Sequence, residues 1–530
     1  MGTESMGNEP KRVGKVYLVG AGPGDAKLIT IKGLECIKKA DVVVYDRLAS
    51  PRLLRQMKPG ARKIYVGKRT ERHTMKQEDI NKLLVELALE GHVVVRLKGG
   101  DPTVFGRVGE EAEELRQHGI GYEIVPGITS SIAVPAYAGI PVTHRNLASS
   151  FSVVTGHENP EKLDKMIKWD KVTNATGTLV FMMGVAQIGH ITAQLLKHGR
   201  PASTPVALVR WGTRAEQETL VGTLEDIAEK VAARDFKPPA VIVVGDVVSQ
   251  RERLHWAEQM PLFGRRILVT RSRSQASELV DRIEELGGEP YEFPVIETVM
   301  PEGEDKLQPI RKAFAGIERY DWVFFTSVNG VEYFFRHLDE QGLDIRALYR
   351  ARIAAVGPAT IEALRIRGIR SEAPPVTFDA EGMLEAYGEK LLAGQHVLLP
   401  RGDLARSWLP QALSERGLEV TELDTYETVL TGEDDEELLD LLQDGKVHAI
   451  TFTSSSTVRN LVAVLKRMGQ ENAVELLNAS TLACIGPQTA KTAEELGLRV
   501  DLLAKEATIE GLLEALCAWK VSADGKETGM

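Results

Sequence analysis

The chain has 530 residues, of which 43% are hydrophobic and 26% are charged. At ~100 to 200 residues per domain this length predicts about three or four compact units, so a single small domain is excluded. The composition is that of a globular protein and excludes a disordered or collagenous chain. Lys and Arg total 65 against 75 Asp and Glu, and the formal charge of −10 argues against a general nucleic-acid binder.

Neither the cysteines nor the histidines are spaced as a disulfide framework or a metal site. The cysteines are odd in number and far apart: Cys36, Cys484 and Cys517. The histidines close to the motifs described below lack a ligand spacing such as H-E-x-x-H: His73, His144 and His157. We therefore predict no metal and expect free thiols in a reducing compartment.

The N-terminal residues 1–13 lack the apolar centre of a signal peptide. No apolar run in the chain reaches the ~18 residues that a membrane-spanning helix needs. Together with the free thiols, these two observations predict a cytoplasmic protein with no membrane partner, and the acidic charge predicts no nucleic-acid partner.

Short β-branched runs alternate with helix-length amphipathic stretches along nearly the whole chain, for example VYLV at 16 and AVIVV at 240. The runs are apolar without alternation, as in strands that helices cover on both faces. The pattern predicts an α/β fold with parallel sheets.

This pattern lapses once, in the polar and Pro/Gly-containing segment RERLHWAEQMPLFGRR at 251–266. We place a linker at 256–264. It separates a first domain at 14–255 from a second domain at 265–520.

The second domain contains an internal repeat. Three pairs of similar segments occur in the same order and at nearly the same spacing: ILVTR at 267 with VLLPR at 397, FFTS at 324 with TFTS at 451, and AVGPAT at 355 with CIGPQT at 484. The repeat predicts two similar α/β lobes, and the alternative is coincidence among common strand-turn-helix sequences.

The two lobes need not be continuous in sequence, because long segments near 298–304 and 429–433 allow the chain to cross between them and return. A return crossing makes one lobe from 265–300 plus 430–520 and the other from 301–429. A cleft between two such lobes is a common place for a small ligand.

The first domain opens with the turn GAGPGD at 20–25, which follows a predicted strand and precedes a helix. Asp25 stands where a dinucleotide fingerprint needs glycine, which disfavours a nicotinamide oxidoreductase. Pro23 removes an amide donor, so the turn suits close packing against a flat or neutral group better than a pyrophosphate. The alternative is a tight turn with no ligand.

Two further glycine-proline turns follow, RLKGGDPTVFGR at 96–107 and VPGITSS after the next predicted strand. Gly99 and Gly100 leave the main chain open to a ligand. Thr129 and Ser130 place hydroxyls and free amides at a helix start.

In this order and spacing, the three turns resemble the tetrapyrrole methylases that use S-adenosylmethionine. Four more segments are similar to the uroporphyrinogen-III C-methyltransferases of that family: YDRL at 45–48, VGKR at 66–69, PVTHR at 141–145 and MMG at 182–184. The resemblance implies a two-lobed methylase that dimerises through this half and transfers two methyl groups to uroporphyrinogen III, giving precorrin-2. It places the donor site at Pro23, Gly99, Gly100, Asp101, Val104, Thr129, Ser130, Met183 and Gly212.

Methyl transfer to carbon needs alignment of the methyl donor with the ring carbon and removal of a proton from the acceptor. The resemblance makes Asp46 the base and Lys68 the acid or charge stabiliser. From the residues alone, Asp46 could form an Asx turn or pair with Arg47, and Lys68 could be a solvated amine. Arg47 and Arg69, with Lys68 and Arg72, are candidates to bind the acetate and propionate groups, and solvation is the alternative.

The second half resembles the uroporphyrinogen-III synthases over about 265–520. The segments that carry this resemblance are VTRSR at 269, FFTSVNGVE at 324, AAVGPATIEALRIRGI at 354, LLPRGD at 398, TYET at 425, TFTSSSTV at 451 and CIGPQTA at 484. It implies an enzyme that closes linear hydroxymethylbilane with inversion of the terminal ring and without a cofactor. Such catalysis rests mainly on positioning.

The resemblance places Tyr426 near the leaving group, and the alternative is a packed ring with its hydroxyl in water. Three hydroxyl residues lie at strand-to-helix turns, where they bind substrate carboxylates or act only as N-caps: Ser327, Ser454 and Thr489. Arg271 and Arg401 each close the first strand of a repeat. Two interpretations of these arginines stay open: they bind substrate carboxylates, or they only pair across the sheet edge.

The two resemblances predict a bifunctional enzyme of tetrapyrrole biosynthesis leading to siroheme or cobalamin, because the product of the second half is the substrate of the first. The alternative is a methylase with a noncatalytic, hinged ligand sensor appended to it. We find no segment for dehydrogenation or iron insertion.

Overall fold

The computed structural model describes residues 13–67, 75–157, 160–271, 273–372, 380–405, 408–432 and 435–519. In these ranges the strands form four sheets of five strands each. Each sheet separates two hydrophobic cores, one on each face. The predicted α/β class with parallel-rich sheets is confirmed.

The first half alternates strands and helices. Its described strands are β1 (Lys15–Gly20), β2 (Val42–Tyr45), β3 (Arg62–Tyr65), β4 (Val93–Lys98), β5 (Gly121–Val125), β6 (Phe151–Thr155), β7 (Thr178–Met182), β8 (Pro205–Arg210), β9 (Glu218–Thr223) and β10 (Ala240–Val244). Its described helices are α1 (Ile31–Lys39), α2 (Pro51–Leu54), α3 (Gln77–Leu89), α4 (Val108–Gln117), α5 (Ser130–Tyr137), α6 (Pro160–Met166), α7 (Trp169–Ala175), α8 (Ile188–Lys197), α9 (Ile227–Ala233) and α10 (Arg251–Leu254).

The first sheet has the order β3-β2-β4-β1-β5, and all its strands are parallel. Val16 and Leu18 of β1 point into one core and Val19 into the other, as the two-residue period of a strand requires. Because the strands are parallel, the turns that follow them lie along one edge of the sheet. The second sheet, β6-β7-β10-β8-β9, is mixed, with only β6 and β7 parallel.

The second half has the same alternation. Its described strands are β11 (Arg266–Val269), β12 (Glu289–Glu292), β13 (Ile296–Val299), β14 (Trp322–Phe325), β15 (Arg352–Ala355), β16 (His396–Gly402), β17 (Glu419–Leu430), β18 (Ala449–Phe452), β19 (Thr481–Cys484) and β20 (Leu502–Leu503). Its described helices are α11 (Arg273–Glu285), α12 (Glu304–Ala315), α13 (Val328–Glu340), α14 (Pro358–Ile366), α15 (Ala380–Tyr387), α16 (Trp408–Glu415), α17 (Glu436–Gln443), α18 (Ser455–Arg467), α19 (Ala473–Asn478), α20 (Pro487–Glu495) and α21 (Ile509–Ala518).

The two sheets of the second half share the order of four strands, β12-β11-β18-β19 in one and β17-β16-β14-β15 in the other. One sheet is β12-β11-β18-β19-β20 and the other is β13-β17-β16-β14-β15. The repeated segments lie on corresponding strands, since β11, β18 and β19 of one sheet match β16, β14 and β15 of the other. We call the lobe that contains β11 the first lobe and the lobe that contains β14 the second lobe.

The boundary between these lobes differs from the predicted one at residue 300. β13 belongs to the sheet of the second lobe, where it pairs antiparallel with β17, Ile296 facing Leu430. The reason is the length of β17: its first part pairs with β16 and its last four residues remain free to pair with β13. The chain therefore enters the second lobe before residue 296.

The first half contacts the first lobe through charged side chains. The ion pairs that join them are Lys27 with Asp281 and Glu284, Arg52 with Glu284 and Glu292, Arg55 with Asp435, and Arg266 with Glu216. None of the described helices has both the length and the apolar character needed to cross a membrane.

Candidate active sites

Three glycine-containing turns of the first half meet at one edge of the first sheet. The Ala21 amide donates to the Lys98 carbonyl at 2.7 Å. Gly22 and Gly100 exchange two hydrogen bonds of 3.2 and 2.7 Å through their amides and carbonyls. The turns that follow β1 and β4 are therefore joined backbone to backbone.

The third turn closes against the other two, and this contact requires glycine. A methyl group on Gly20 would lie 2.6 Å from the Gly127 Cα atom and 2.7 Å from the Gly100 carbonyl oxygen. Gly100 itself has a φ of +69°, and a methyl group there would meet nothing closer than the Ser130 amide at 3.7 Å. We call these joined turns the glycine wall; its open side faces the first amides of α5.

Asp101 holds the glycine wall together. Its Oδ2 atom accepts a hydrogen bond of 2.9 Å from the Gly127 amide. Its Oδ1 atom accepts from the Thr103 amide at 2.7 Å and from the Thr103 hydroxyl. Both carboxylate oxygens are thus used inside the wall, which makes this residue a link between the turns after β4 and β5.

Other predicted donor-site residues lie in or beside this wall. Pro23 and Val104 are half-buried in the first and second turns. Thr129 is the N-cap of α5, where its side chain accepts from the Ser131 amide at 3.3 Å, and Ser130 is the first residue of that helix. The structure thus brings the residues from three separate turns to one place.

The remaining two predicted donor-site residues come from the second sheet. Gly212 is buried against α5, since a methyl group on it would lie 2.5 Å from Val134 Cγ1. Met183 follows β7 with a φ of 59° and an exposed side chain. Among the described residues, no hydrogen bond connects Met183 to the glycine wall.

Asp25, which breaks the dinucleotide fingerprint, ties the two sheets together. Its amide donates to the Thr213 hydroxyl at 3.0 Å, and its Oδ2 atom accepts from the Tyr137 hydroxyl at 3.1 Å. Burial, followed by the charge of this carboxylate, raises the pKa of Tyr137. The sequence indicated only that this position was not glycine.

Asp46 lies directly after β2. Its Oδ1 atom accepts from the Leu48 amide at 3.0 Å, which is the Asx turn considered above. Its Oδ2 atom accepts from Arg96 Nη2 at 3.2 Å, so its ionic partner is Arg96 and not Arg47. The side chain of Asp46 is 26% exposed, and it is open to a ligand at the sheet edge.

A buried charged cluster lies behind Asp46. Glu111 is fully buried and accepts from Arg96 Nε at 3.3 Å, Lys98 Nζ at 2.6 Å and Gln77 Nε2 at 3.1 Å. Burial and then the charge of Arg96 lower the pKa of Lys98. Sequence analysis missed this cluster, although two cations inside the otherwise apolar strand VVVRLK were a signal for it.

Arg47, next to Asp46, points its guanidinium at an aromatic ring in the turn that follows β8. The Arg47 Cζ atom lies 5.5 Å from the centre of the Trp211 ring. The other predicted cations of this region, Lys68 and Arg69, lie outside the described residues, as does Arg72.

In the second half, Tyr426 lies on β17 after an irregularity in its pairing with β16. Arg401 pairs with Asp424, whereas Gly402 pairs with Tyr426, so one residue of β17 is extra. The Tyr426 ring lies against Gly402 and 5.2 Å from the ring of Tyr333. Its hydroxyl oxygen is 3.5 Å from the Ser327 Oγ atom, so the ring is packed while the hydroxyl faces another polar group.

The three predicted hydroxyl residues lie at the N-terminal ends of helices. Ser327 caps α13 by accepting from the Gly330 amide at 3.0 Å. Ser454 caps α18 in a capping box with Thr457. Thr489 lies in the first turn of α20 and is only 5% exposed. The two serines thus have a capping role whether or not a ligand is present.

The two predicted arginines have different surroundings. Arg401 pairs with Glu422 and with Asp424 at 3.4 Å and donates to the Ala405 carbonyl at 2.9 Å, which is the pairing across the sheet edge considered above. Burial lowers the pKa of Arg271. Arg271 has no ion pair with any other residue of the described ranges.

The described His, Cys, Asp and Glu residues contain no group of three or more placed to hold a metal ion. Within the same ranges all three cysteines are unpaired thiols.

Two families match this chain, one in each half. Residues 15–228 match the Tetrapyrrole (Corrin/Porphyrin) Methylases, and residues 277–514 match Uroporphyrinogen-III synthase HemD. The chain is similar along nearly its whole length to the Porphyrin biosynthesis protein HemD of Ruminiclostridium josui. The two are 38% identical over 503 residues, which cover 95% of this chain and 97% of that protein.

Two relatives match the first half alone. The Uroporphyrinogen-III C-methyltransferase of Priestia megaterium is 54% identical over 237 residues, 45% of this chain and 99% of that protein. The S-adenosyl-L-methionine-dependent uroporphyrinogen III methyltransferase of Methanosarcina barkeri is 53% identical over 235 residues, 44% of this chain and 92% of that protein.

Proposed function

The chain belongs to the tetrapyrrole methylases in its first half and to the uroporphyrinogen-III synthases in its second half, and from this premise we propose how its own residues perform the two reactions. It is a bifunctional enzyme of tetrapyrrole biosynthesis. The second half converts hydroxymethylbilane to uroporphyrinogen III. The first half methylates that product with S-adenosylmethionine to give precorrin-2, on the route to siroheme or cobalamin.

The glycine wall is the single observation that carries the donor site. S-adenosylmethionine presents an adenine, a ribose, a carboxylate and a sulfonium, and it supplies an electrophilic methyl group when bound. The open side of Gly100, the Thr129 hydroxyl and the first amides of α5 offer the main-chain and hydroxyl groups that such a molecule needs. Asp101 keeps these groups in place by joining two of the turns.

Asp46 is the proposed base. It ends the strand next to β4, and β4 leads into Gly99 and Gly100, so its carboxylate lies at the edge that carries the donor site. Arg96 orients the carboxylate from the buried side, and the exposed part faces the acceptor. The methylated ring carbon carries a side chain and no hydrogen, so the proton that balances methyl transfer leaves from another position of the macrocycle, and a carboxylate oxygen takes it. Lys68 is proposed as the acid or charge stabiliser and Arg47 and Arg69 as carboxylate ligands, on the family resemblance.

Tyr426 is the proposed proton donor to the leaving hydroxyl of hydroxymethylbilane. Its hydroxyl is close to Ser327, at the N-terminal end of α13. Arg271 and the N-terminal ends of α13, α18 and α20 are the proposed carboxylate contacts, because free amides and an unpaired cation attract anions. These protein groups supply the positioning and the proton, so we propose no cofactor for this half.

Two further proposals concern assembly and location. We propose a homodimer through the methylase half, where the apolar side chains of Phe105, Ile128 and Ile132 are exposed. A cytoplasmic location is proposed because the described cysteines are unpaired.

One assay tests the proposed function. Freshly prepared hydroxymethylbilane is supplied to the full chain with and without S-adenosylmethionine, and the isomer of the macrocycle and its number of methyl groups are determined. We expect the type III isomer in both cases and two added methyl groups only with the donor. The spontaneous type I isomer alone would overturn the synthase assignment, and unmethylated type III product in both cases would overturn the methylase assignment.

A further inference from the structure

A cavity that is open to solvent lies where the two halves meet. The first half contributes Arg47, Arg210, Trp211, Glu216 and Pro238 to its lining. The first lobe of the second half contributes Lys446. The second half therefore supplies one side of a cavity that the first half mostly lines.

Three cations and one carboxylate line this cavity, so the formal charge of its lining is positive. Arg47 has no ion pair with another described residue. Arg210 has its nearest carboxylate oxygen, from Glu218, 4.0 Å away, and its Nε atom is buried without a hydrogen bond. The carboxylate of Glu216 is already paired with Arg266 at 2.8 Å. The cavity thus has capacity to bind negative charge from a ligand.

Lys446 adds a cation from the opposite wall. Its Nζ atom lies 2.6 Å from Asp444, but the two side chains are 48% and 57% exposed. Such surface pairs contribute little and exchange readily for another carboxylate. Lys446 therefore remains available to an anionic ligand.

Trp211 gives the cavity a flat apolar surface between these cations. The guanidinium carbons of Arg47 and Arg214 lie 5.5 and 5.3 Å from its ring centre. The residue has a φ of 46°, which is unfavourable for a bulky side chain and which the surrounding structure must enforce. A ligand that suits both features presents apolar ring surface at its centre and carries carboxylates at its rim.

The segment that carries Lys446 is fixed to the first half by one buried arginine. Arg266 donates to the Lys446 carbonyl at 3.3 Å and to Glu216 at 2.8 Å. It also pairs with Glu289, whose other carboxylate oxygen accepts from the Ala215 amide at 2.7 Å. These bonds hold the lysine at a defined position relative to the methylase half.

We propose that this cavity binds the carboxylates of a tetrapyrrole macrocycle and that Lys446 of the synthase half completes the acceptor site of the methylase half. This inference rests on the proposed function, in which uroporphyrinogen III is the acceptor. Arg47 directly follows Asp46 in the chain, and both residues come just after β2. The synthase half thereby contributes to the binding of its own product for the next reaction.

The test uses the full chain with Lys446→Gln and Lys446→Glu, and Lys466→Glu as the matched control. Lys466 is an exposed lysine in the last turn of α18 and does not line the cavity. Uroporphyrinogen III is supplied directly, and kcat and KM are measured for methyl transfer. We expect KM to rise about threefold with glutamine and about tenfold with glutamate, because a carboxylate contact is first lost and then replaced by repulsion.

The other measured quantities separate a binding role from a folding defect. We expect kcat to stay within about twofold, and ring closure of hydroxymethylbilane and the melting temperature to be unchanged, since Lys446 is half-exposed. A wild-type KM in Lys446→Glu, or an equal rise in Lys466→Glu, would overturn this inference alone. Absence of methylation of uroporphyrinogen III by the wild-type chain would overturn the proposed function and this inference together.

Discussion

The Nη2 atom of Arg96 lies 3.2 Å from Oδ2 of Asp46, while the Nε atom of the same guanidinium lies 3.3 Å from Oε1 of Glu111. One arginine, 4% exposed, thus connects the proposed base at the sheet edge to a fully buried carboxylate. The orientation of Asp46 is therefore set from inside the protein as well as by its own turn.

Asp46→Asn tests the proposed base directly. Asparagine retains the oxygen that accepts from the Leu48 amide but cannot take a proton at neutral pH. We expect kcat for methylation of uroporphyrinogen III to fall about a hundredfold. This is the lower end of the rate enhancement that a general base contributes. Ring closure by the second half serves as the internal control, and full methylation by this variant would reject the role.

Arg96→Lys tests the positioning of that base. Lysine keeps the positive charge but cannot reach Asp46 and Glu111 with a rigid planar fork. We expect kcat for methylation to fall about tenfold without a change in KM for S-adenosylmethionine, because orientation and not donor binding is disturbed. A parallel loss of ring closure would indicate general unfolding and contradict this explanation.

Gly127→Ala tests the glycine wall. The added methyl group would lie 2.8 Å from the Gly20 Cα atom and closer still to the Gly100 carbonyl, and backbone on both sides leaves it no room. We expect the affinity for S-adenosylmethionine, measured by calorimetry, to fall more than about tenfold. Gly109→Ala is the control, since a methyl group at Gly109 meets nothing within 4 Å; equal binding by both variants would argue against the wall as the donor site.

Tyr426→Phe separates the packing of this ring from the chemistry of its hydroxyl. Phenylalanine preserves the contacts with Gly402 and Tyr333 but loses the hydroxyl near Ser327. We expect enzymatic ring closure to slow about a hundredfold, so that the type I isomer accumulates, while the melting temperature is unchanged. Tyr349→Phe, at a residue that is 72% exposed, should close the ring at the wild-type rate.

Glu123 predicts a pH dependence of stability. Hydrogen bonds from Lys15 and then Lys32 hold the pKa of Glu123 at about 2, below its ordinary value of 4.5. A lowered pKa in the folded state stabilises the fold above about 4.5, and the stabilisation is lost as the pH falls toward about 2. We expect Glu123→Gln to lower the melting temperature at pH 7 and to differ less from wild type at pH 3.

The control for this prediction is Glu113→Gln, on the exposed side of α4, where no ion pair is described. It should leave the melting temperature unchanged at both pH values. If the difference in melting temperature between Glu123→Gln and wild type is the same at pH 7 and pH 3, the stabilisation by Glu123 is not ionic.

The sequence predicts the sheets well where local signals and family motifs agree. The repeat in the second half anticipates corresponding strands because β-branched runs and strand-to-helix turns are local features. The position of β13 was not predictable, because it depends on how far β17 extends beyond β16, which is a long-range pairing. The predicted boundary at residue 300 was placed in a loop on local composition alone.

The candidate sites were predictable to a different degree. The glycine turns are visible in the sequence, and their mutual contacts follow from parallel strands. The ionic partner of Asp46 was not predictable from the sequence, because Arg96 lies far away in the chain and belongs to a neighbouring strand. The same holds for Lys446, whose proximity to Trp211 depends on the docking of two halves that share no local pattern.

The return of the chain to the first lobe has a consequence for its synthesis on the ribosome. β11 pairs with β18, Ile267 beside Ala449, and the whole second lobe is translated between them. The nascent β11 therefore has one edge unpaired until β18 emerges, and during that time this edge is open to chaperones or to wrong partners. The methylase half, which is made first, already offers Glu216 to Arg266 at the start of that strand, so the order of translation provides a folded support for the unfinished lobe.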